Sequence, residues 1–237
     1  MKFEASDKVY LDERRQLSEK YGPRELWSVI DHWPLYAGIA NIGRFMAIAD
    51  AFRSTLDVPG NVAEFGSWRG ANIMFLAKLL HVYDPNGCKT VHCFESFEGL
   101  ESFTDEDGSA ESSRGTYQGS YEELADLINL YRLQDDIVIH KGLIQETLPQ
   151  VLSKKSPLTF SFIYCDTDLY EPTKVILELM HSRLATGGLF AFDQWNNESW
   201  PGEGLAVNEF FEQFGESYDM QSVRNARQPT LIMKKVR

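Results

Sequence analysis

The chain has 237 residues, 43% of them apolar and 24% charged, with a formal charge of −12. This is the composition of an ordinary globular protein, long enough to bury a large core as one α/β domain. The acidic balance argues against nucleic acid and against anionic membrane surfaces, since both select basic patches.

No N-terminal apolar stretch follows a basic one and nothing approaches the length of a membrane span, so the expected setting is the cytoplasm. Cys88, Cys93 and Cys165 form no C-x-x-C pair and read as free thiols, two of them in buried strands.

Residues 1–60 read as an N-terminal helical segment of the same domain that fills 61–237. Helices are expected over Tyr10–Tyr21, Arg24–His32 and Ile39–Leu56, the last with Ile39, Ile42, Phe45, Met46, Ala49 and Phe52 at helical spacing. Packing on the sheet, a lid and a dimer surface all suit that spacing. Val58-Pro59-Gly60 then leads into the first strand.

Val62–Asn72 is a strand, a tight turn and a helix start: an apolar run reaches Glu64, and Gly66 and Gly70 bracket Ser67-Trp68-Arg69. Without a Cβ at Gly66, backbone can approach a ligand closely, and Gly70 lets the helix begin against the strand. The helix start offers unpaired N–H groups and a positive dipole end, which suit the carboxylate or hydroxyls of a small ligand. The stretch reads as a nucleoside-cofactor turn.

Strand and helix then alternate. Lys89–Phe94 is a strand ending at Glu95, which is placed to accept hydrogen bonds from ribose hydroxyls. Glu101–Ser120 has few apolar residues and reads as a mobile surface loop, either a lid or a solvated excursion. Strand Ile137–His140 follows helix Tyr121–Tyr131 and ends at Gly142, where an adenine ring would lie, with Leu143 or Ile144 packing on the ring or in the core. Helix Glu146–Leu152, strand Leu158–Cys165 and helix Pro172–Leu184 come next. Gly187-Gly188 is expected to turn that helix into strand Leu189–Phe192. After helix Ala206–Phe214, strands Tyr218–Val223 and Thr230–Val236 share a short connection, which implies an antiparallel strand ending a mostly parallel sheet.

Acidic residues gather at the strand ends, where an open parallel sheet binds its ligands: Glu64, Glu95, Asp166, Asp168 and Asp193. Carboxylates brought together repel unless something compensates, and Mg²⁺ with oxygen ligands is the default; helix capping is the plainer alternative. One of Asp166 and Asp168, held off the metal, would serve as the base for a substrate hydroxyl. Trp195 and Trp200 could stack on a sugar or ring, or pack in a loop. The five histidines show no metal-ligand spacing.

Glu64-Phe-Gly66-Ser-Trp-Arg-Gly70, Phe94-Glu-Ser-Phe-Glu-Gly-Leu100, Lys141-Gly142 with Glu146-Thr-Leu-Pro149, Asp166-Thr-Asp-Leu-Tyr-Glu-Pro-Thr173 and Asp193-Gln-Trp195 occur in one order. Together they resemble the macrocin O-methyltransferase family, whose members methylate sugar hydroxyls on antibiotics. The resemblance runs from about Ile39 to Phe214. It implies a class I methyltransferase sheet, Rossmann-like and mostly parallel, with S-adenosylmethionine as methyl donor, Mg²⁺ dependence, a sugar or similar polyol as acceptor, and a homodimer. Glu64, Gly66, Ser67, Gly70, Glu95, Ser96, Gly142 and Asp166 would face the cofactor. Asp166, Asp193 and Gln194 would hold the metal, and Asp168 would be the general base. The family has aspartate where this chain has Gln194; an amide oxygen can still coordinate Mg²⁺ but brings no charge. Two other readings share these features: a nicotinamide-dependent oxidoreductase, and a relative that binds the nucleoside without the same chemistry.

Overall fold

The structure is a computed structural model that describes residues 16, 19–22, 25–154, 157–224 and 226–237. Most of the helix expected over Tyr10–Tyr21 lies outside the described residues. The elements that follow are α1 (Leu26–Asp31), α2 (Ile39–Arg53), β1 (Asn61–Phe65), α3 (Ala71–Tyr83), β2 (Val91–Glu95), α4 (Tyr121–Leu130) and β3 (Ile137–Lys141). Then come α5 (Ile144–Ser153), β4 (Phe160–Cys165), α6 (Tyr170–Met180), β5 (Leu184–Phe192), α7 (Pro201–Phe214), β6 (Tyr218–Ser222) and β7 (Leu231–Lys235).

The seven strands form one sheet in the order β3-β2-β1-β4-β5-β7-β6. Neighbours from β3 to β5 pair in parallel, and β7 runs antiparallel between β5 and β6. The central strands are covered on both faces, which is why β2 and β4 are buried at every position. Alternation along each strand sorts the core into two layers. Val62, Phe162, Tyr164 and Leu189 face α2, α3 and α4 through Ile48, Phe52, Ile73, Leu76 and Leu124. Ala63, Phe65, Ile163 and Phe190 face α5, α6 and α7 through Leu148, Ile176, Leu177 and Phe210. The chain order reverses between β1 and β4, and that opens a crevice at their carboxyl ends.

Two expectations need correction. Gly187-Gly188 does not join a helix to a strand: α6 stops at Met180, the turn is at His181–Arg183, and β5 has begun by Leu184. The glycines lie inside β5 where its register against β4 shifts, Phe160 pairing Leu184 but Phe162 pairing Leu189. A Cβ on Gly188 would lie 2.9 Å from the carbonyl oxygen of Ser161, so the bulge itself requires glycine. The second correction is the segment over Glu101–Ser120. Its centre, Asp105–Ser113, is built of 3-10 turns opened by a capping box between Thr104 and Asp107, and Asp107 and Ala110 are buried. It packs on α7 as part of the domain rather than as a solvated excursion.

Candidate active site

A cavity of about 640 Å³ opens at the carboxyl ends of β1, β2, β4 and β5. That is the size of a small-molecule site. Glu64, Gly66, Ser67, Glu95, Ser96 and Gly142 line one half; Asp166, Asp168, Asp193 and Gln194 line the other. Gly70 is the exception among the expected cofactor residues. It is not among the cavity-lining residues; it caps α3 at φ +83°, a conformation that favours glycine, with the Leu124 side chain packed 2.5 Å from where a Cβ would be.

The half expected to take the cofactor is built from β1, β2 and the turn between β1 and α3. Gly66 sits at φ +81°, and a Cβ on it would lie 2.1 Å from the backbone oxygen of Asp166, so only glycine lets the ends of β1 and β4 meet. Glu95 Oε2 accepts the N–H of Trp68 at 2.7 Å and its Oε1 that of Phe97 at 2.8 Å. One carboxylate thus fixes both turns and keeps lone pairs for hydroxyls. Ser96 Oγ accepts the N–H of Glu98 at 3.1 Å. Glu64 is buried, with Ser67 Oγ donating to its Oε2 at 2.7 Å. Burial pushes its pKa up to about 7 against the opposing pull of Ser67, Arg44 and Asn72. Leu143 and Ile144 line the wall beside Gly142, and Ile144 also packs in the core.

In the other half, Asp166 and Asp193 end adjacent strands, and between them stands a residue the sequence reading did not single out. Arg44 of α2 places Nη2 2.8 Å from Asp166 Oδ2 and 3.3 Å from Asp193 Oδ1. Burial alone would lower the pKa of Arg44, but Tyr164, Asp193 and Asp166 more than reverse this and hold it charged. Burial, then Asp193, push Asp166 well above the usual carboxylate range, with Arg44 opposing. Gln228, from the β6–β7 connection, accepts from Arg44 Nη1 at 3.2 Å and donates to Asp193 Oδ2 at 2.5 Å. Tyr164 donates its hydroxyl to Asp193 Oδ1 at 2.5 Å. Arg44 was legible only as a lone basic residue in the stretch Ile42-Gly-Arg-Phe-Met46, and Gln228 carried no signal.

Asp168 stands beyond the end of β4 at φ +60°, a conformation that costs a non-glycine residue roughly 1–3 kcal/mol and clusters at functional sites. Trp68 and Tyr117, also at positive φ, line the same cavity. Oδ1 of Asp168 is buried with no hydrogen-bond partner. Its pKa is pushed up to about 7 by burial and then by Asp193. Glu203, at the first turn of α7, is buried and accepts the N–H of Gln194 at 2.6 Å; burial pushes its pKa well above the usual range. Trp200 lines the cavity and meets Tyr117 ring to ring at 6.3 Å, which meets Trp68 at 5.5 Å. Trp195 does not: it packs against the core and donates Nε1 to Asn208 at 2.9 Å.

The donor set does not fit the expected Mg²⁺. Both oxygens of Asp193 are taken, Asp166 holds Arg44, and the Gln194 side-chain oxygen accepts from Asn197. Among the described residues no three His, Cys, Asp or Glu side chains converge as metal ligands.

A sequence model described as macrocin O-methyltransferase (TylF) matches residues 12–226. The mycinamicin III 3''-O-methyltransferase of Micromonospora griseorubida is 28% identical over 177 residues, 70% of this chain and 66% of that protein. The demethyldecarbamoylnovobiocin O-methyltransferase of Streptomyces niveus is 28% identical over 148 residues, 59% of this chain and 54% of its own length. The matched stretch therefore spans just under two thirds of the first relative and about half of the second. In fold, the structure of a calicheamicin methyltransferase superposes with a TM-score of 0.83 at 23% identity, covering 97% of this chain and 92% of that one.

Proposed function

The chain belongs to the macrocin O-methyltransferase family, and from that premise we propose that it is an S-adenosylmethionine-dependent O-methyltransferase acting on a hydroxyl of a sugar or sugar-bearing natural product. The observation that carries this reading is one cavity lined by the strand-end acids Glu64 and Glu95 at one end and by Asp168 at the other. The donor set suits the nucleoside. Glu95 has lone pairs for ribose hydroxyls, the start of α3 and Glu64 suit an amino-acid end, and an acidic cavity favours a cationic ligand. The antiparallel β7 and the family weigh against a nicotinamide enzyme.

When bound, S-adenosylmethionine supplies a sulfonium methyl that passes to the acceptor oxygen, leaving neutral-sulfur S-adenosylhomocysteine. With both reactants in place the C–O bond would form as the S–C bond breaks, and the Asp168 carboxylate would take the hydroxyl proton. A carboxylate whose pKa lies near neutrality suits that transfer. Trp68, Tyr117 and Trp200 form the aromatic wall for the acceptor, and holding both reactants in line supplies much of the rate.

The reading includes a homodimer in the cytoplasm, where the methyl donor is made. Leu26, Leu35 and Ile39 of the N-terminal helices are 62%, 77% and 78% exposed, an apolar surface that a second copy would cover. Light scattering on the eluted protein reads the oligomer directly.

Calorimetry with S-adenosylhomocysteine, followed by mass spectrometry of methyl transfer to a panel of glycosylated natural products and nucleotide sugars, tests the function. Wild type should bind the nucleoside and methylate one acceptor class. Asp168→Asn should bind it equally and turn over at least roughly a hundredfold more slowly. Full activity in that variant removes the assigned base.

A further inference from the structure

Arg44 stands where a divalent cation would have to sit. Its guanidinium spans Asp166 and Asp193, and Gln228 closes a ring by accepting from Arg44 and donating to Asp193. Tyr164 fills the remaining place on Asp193. Beside it, Gln194 stands where the family's second aspartate would, and its side-chain oxygen is committed to Asn197.

We propose that in this chain Arg44 takes over the charge-balancing place of the family's metal, and that the protein binds its cofactor and transfers methyl without a divalent cation. The proposal rests on the methyl-transfer reading above. Mg²⁺ demands near-octahedral oxygen ligation and gives up its own water reluctantly. To enter here it would have to break the Arg44 contacts with both carboxylates, leaving a partly buried guanidinium without its partners, and strip Tyr164 and Gln228 from Asp193. Against that, the site offers one carboxylate fewer than the family pattern.

A guanidinium is not a substitute in every respect. It donates hydrogen bonds and carries a delocalised charge, so it holds two carboxylates together without binding a substrate oxygen. Arg44 is thus a positioning residue for Asp166 and Asp193. Removal of the hydroxyl proton falls to Asp168 without help from a Lewis acid. Arg44 comes from α2 and Gln228 from the connection before β7, so the arrangement joins the N-terminal helices to the far end of the domain.

The test uses Mn²⁺ as the probe, titrated into metal-stripped full-length protein saturated with S-adenosylhomocysteine and followed by electron paramagnetic resonance. Wild type should show no saturable Mn²⁺ site, and its nucleoside affinity should be the same with and without EDTA. The double variant Arg44→Met/Gln194→Asp clears the guanidinium and restores the second carboxylate. It should gain a Mn²⁺ site at least roughly tenfold tighter than any residual binding in the wild type. A stoichiometric Mn²⁺ site in the wild type overturns the proposal. So does a double variant that still binds the nucleoside but gains no Mn²⁺ site. The wild-type arm decides by itself if the variant does not fold. Metal-stripped protein that binds S-adenosylhomocysteine only after Mn²⁺ is added overturns the proposal; protein that excludes Mn²⁺ and binds no S-adenosylhomocysteine with or without it removes the methyl-transfer reading and, with it, the claim of metal-free cofactor binding.

Discussion

The buried carboxylate of Asp107 accepts the backbone N–H of Tyr170 at 2.8 Å, so the segment after β2 is fastened to the first turn of α6, two residues beyond Asp168. Its second oxygen takes the N–H of Thr104 at 2.8 Å. Gly202 of α7 packs so closely that a Cβ on it would meet the same carboxylate. Asp107→Ala leaves two backbone donors without partners and should destabilise the fold by about 2–4 kcal/mol. Urea unfolding measures this, and a midpoint equal to that of the wild type would show the segment to be independent of the domain.

Gly66→Ala should be the most damaging single methyl in the cavity wall. The new Cβ falls 2.1 Å from the backbone oxygen of Asp166, and the φ of +81° disfavours any L side chain. Loss of about 2–5 kcal/mol of stability is expected. Affinity for S-adenosylhomocysteine should fall at least roughly tenfold, because the strand ends must part. Calorimetry that finds wild-type affinity in this variant would show that the turn does not shape the site.

His92 and His140 make stability depend on pH. Nδ1 of His92 lies 3.0 Å from Nε2 of His140, an arrangement that needs one donor and one acceptor and so excludes two imidazolium ions. Burial pushes both pKa values down to about 4, with His92 adding to the effect on His140. The unfolded chain titrates near 6.5, so between about 6.5 and 4 it binds more protons than the native state, and stability falls as pH falls through that window. Discounting His140, which is only half-buried, the slope should be roughly 1–2 kcal/mol per pH unit, flattening below about pH 4 as far as this pair is concerned. His140→Phe should lower the slope over the same range. Denaturation at pH 7 and pH 5 reads it, and an unchanged slope in that variant would sink the assignment.

Tyr117 and Trp200 should govern the acceptor alone. Trp200→Ala and Tyr117→Ala remove rings that line the cavity. Each should raise KM for the acceptor about tenfold while leaving the affinity for S-adenosylhomocysteine as it was. A matching loss of nucleoside affinity would place these rings at the cofactor instead.

The strand–turn–helix at Glu64–Asn72 and the acids at the ends of β2, β4 and β5 were legible because each depends on local pattern. Apolar runs mark buried parallel strands, and a parallel sheet puts whatever follows them on one edge. The segment over Glu101–Ser120 misled for the opposite reason. Its few apolar residues suggest a solvated loop, but the capping box and the buried Asp107 supply the fastening that composition does not show.

The order of residues by itself determined the alternating domain, the cavity edge and the acidic character of the site. What neutralises those acids was decided only in three dimensions. Arg44 reaches Asp166 across 122 positions of chain, and Gln228 reaches Asp193 across 35. A carboxylate at a strand end demands a countercharge but does not specify its source. The packing of α2 against the sheet and the path of the chain before β7 deliver a guanidinium and an amide to the place where the local pattern called for a metal.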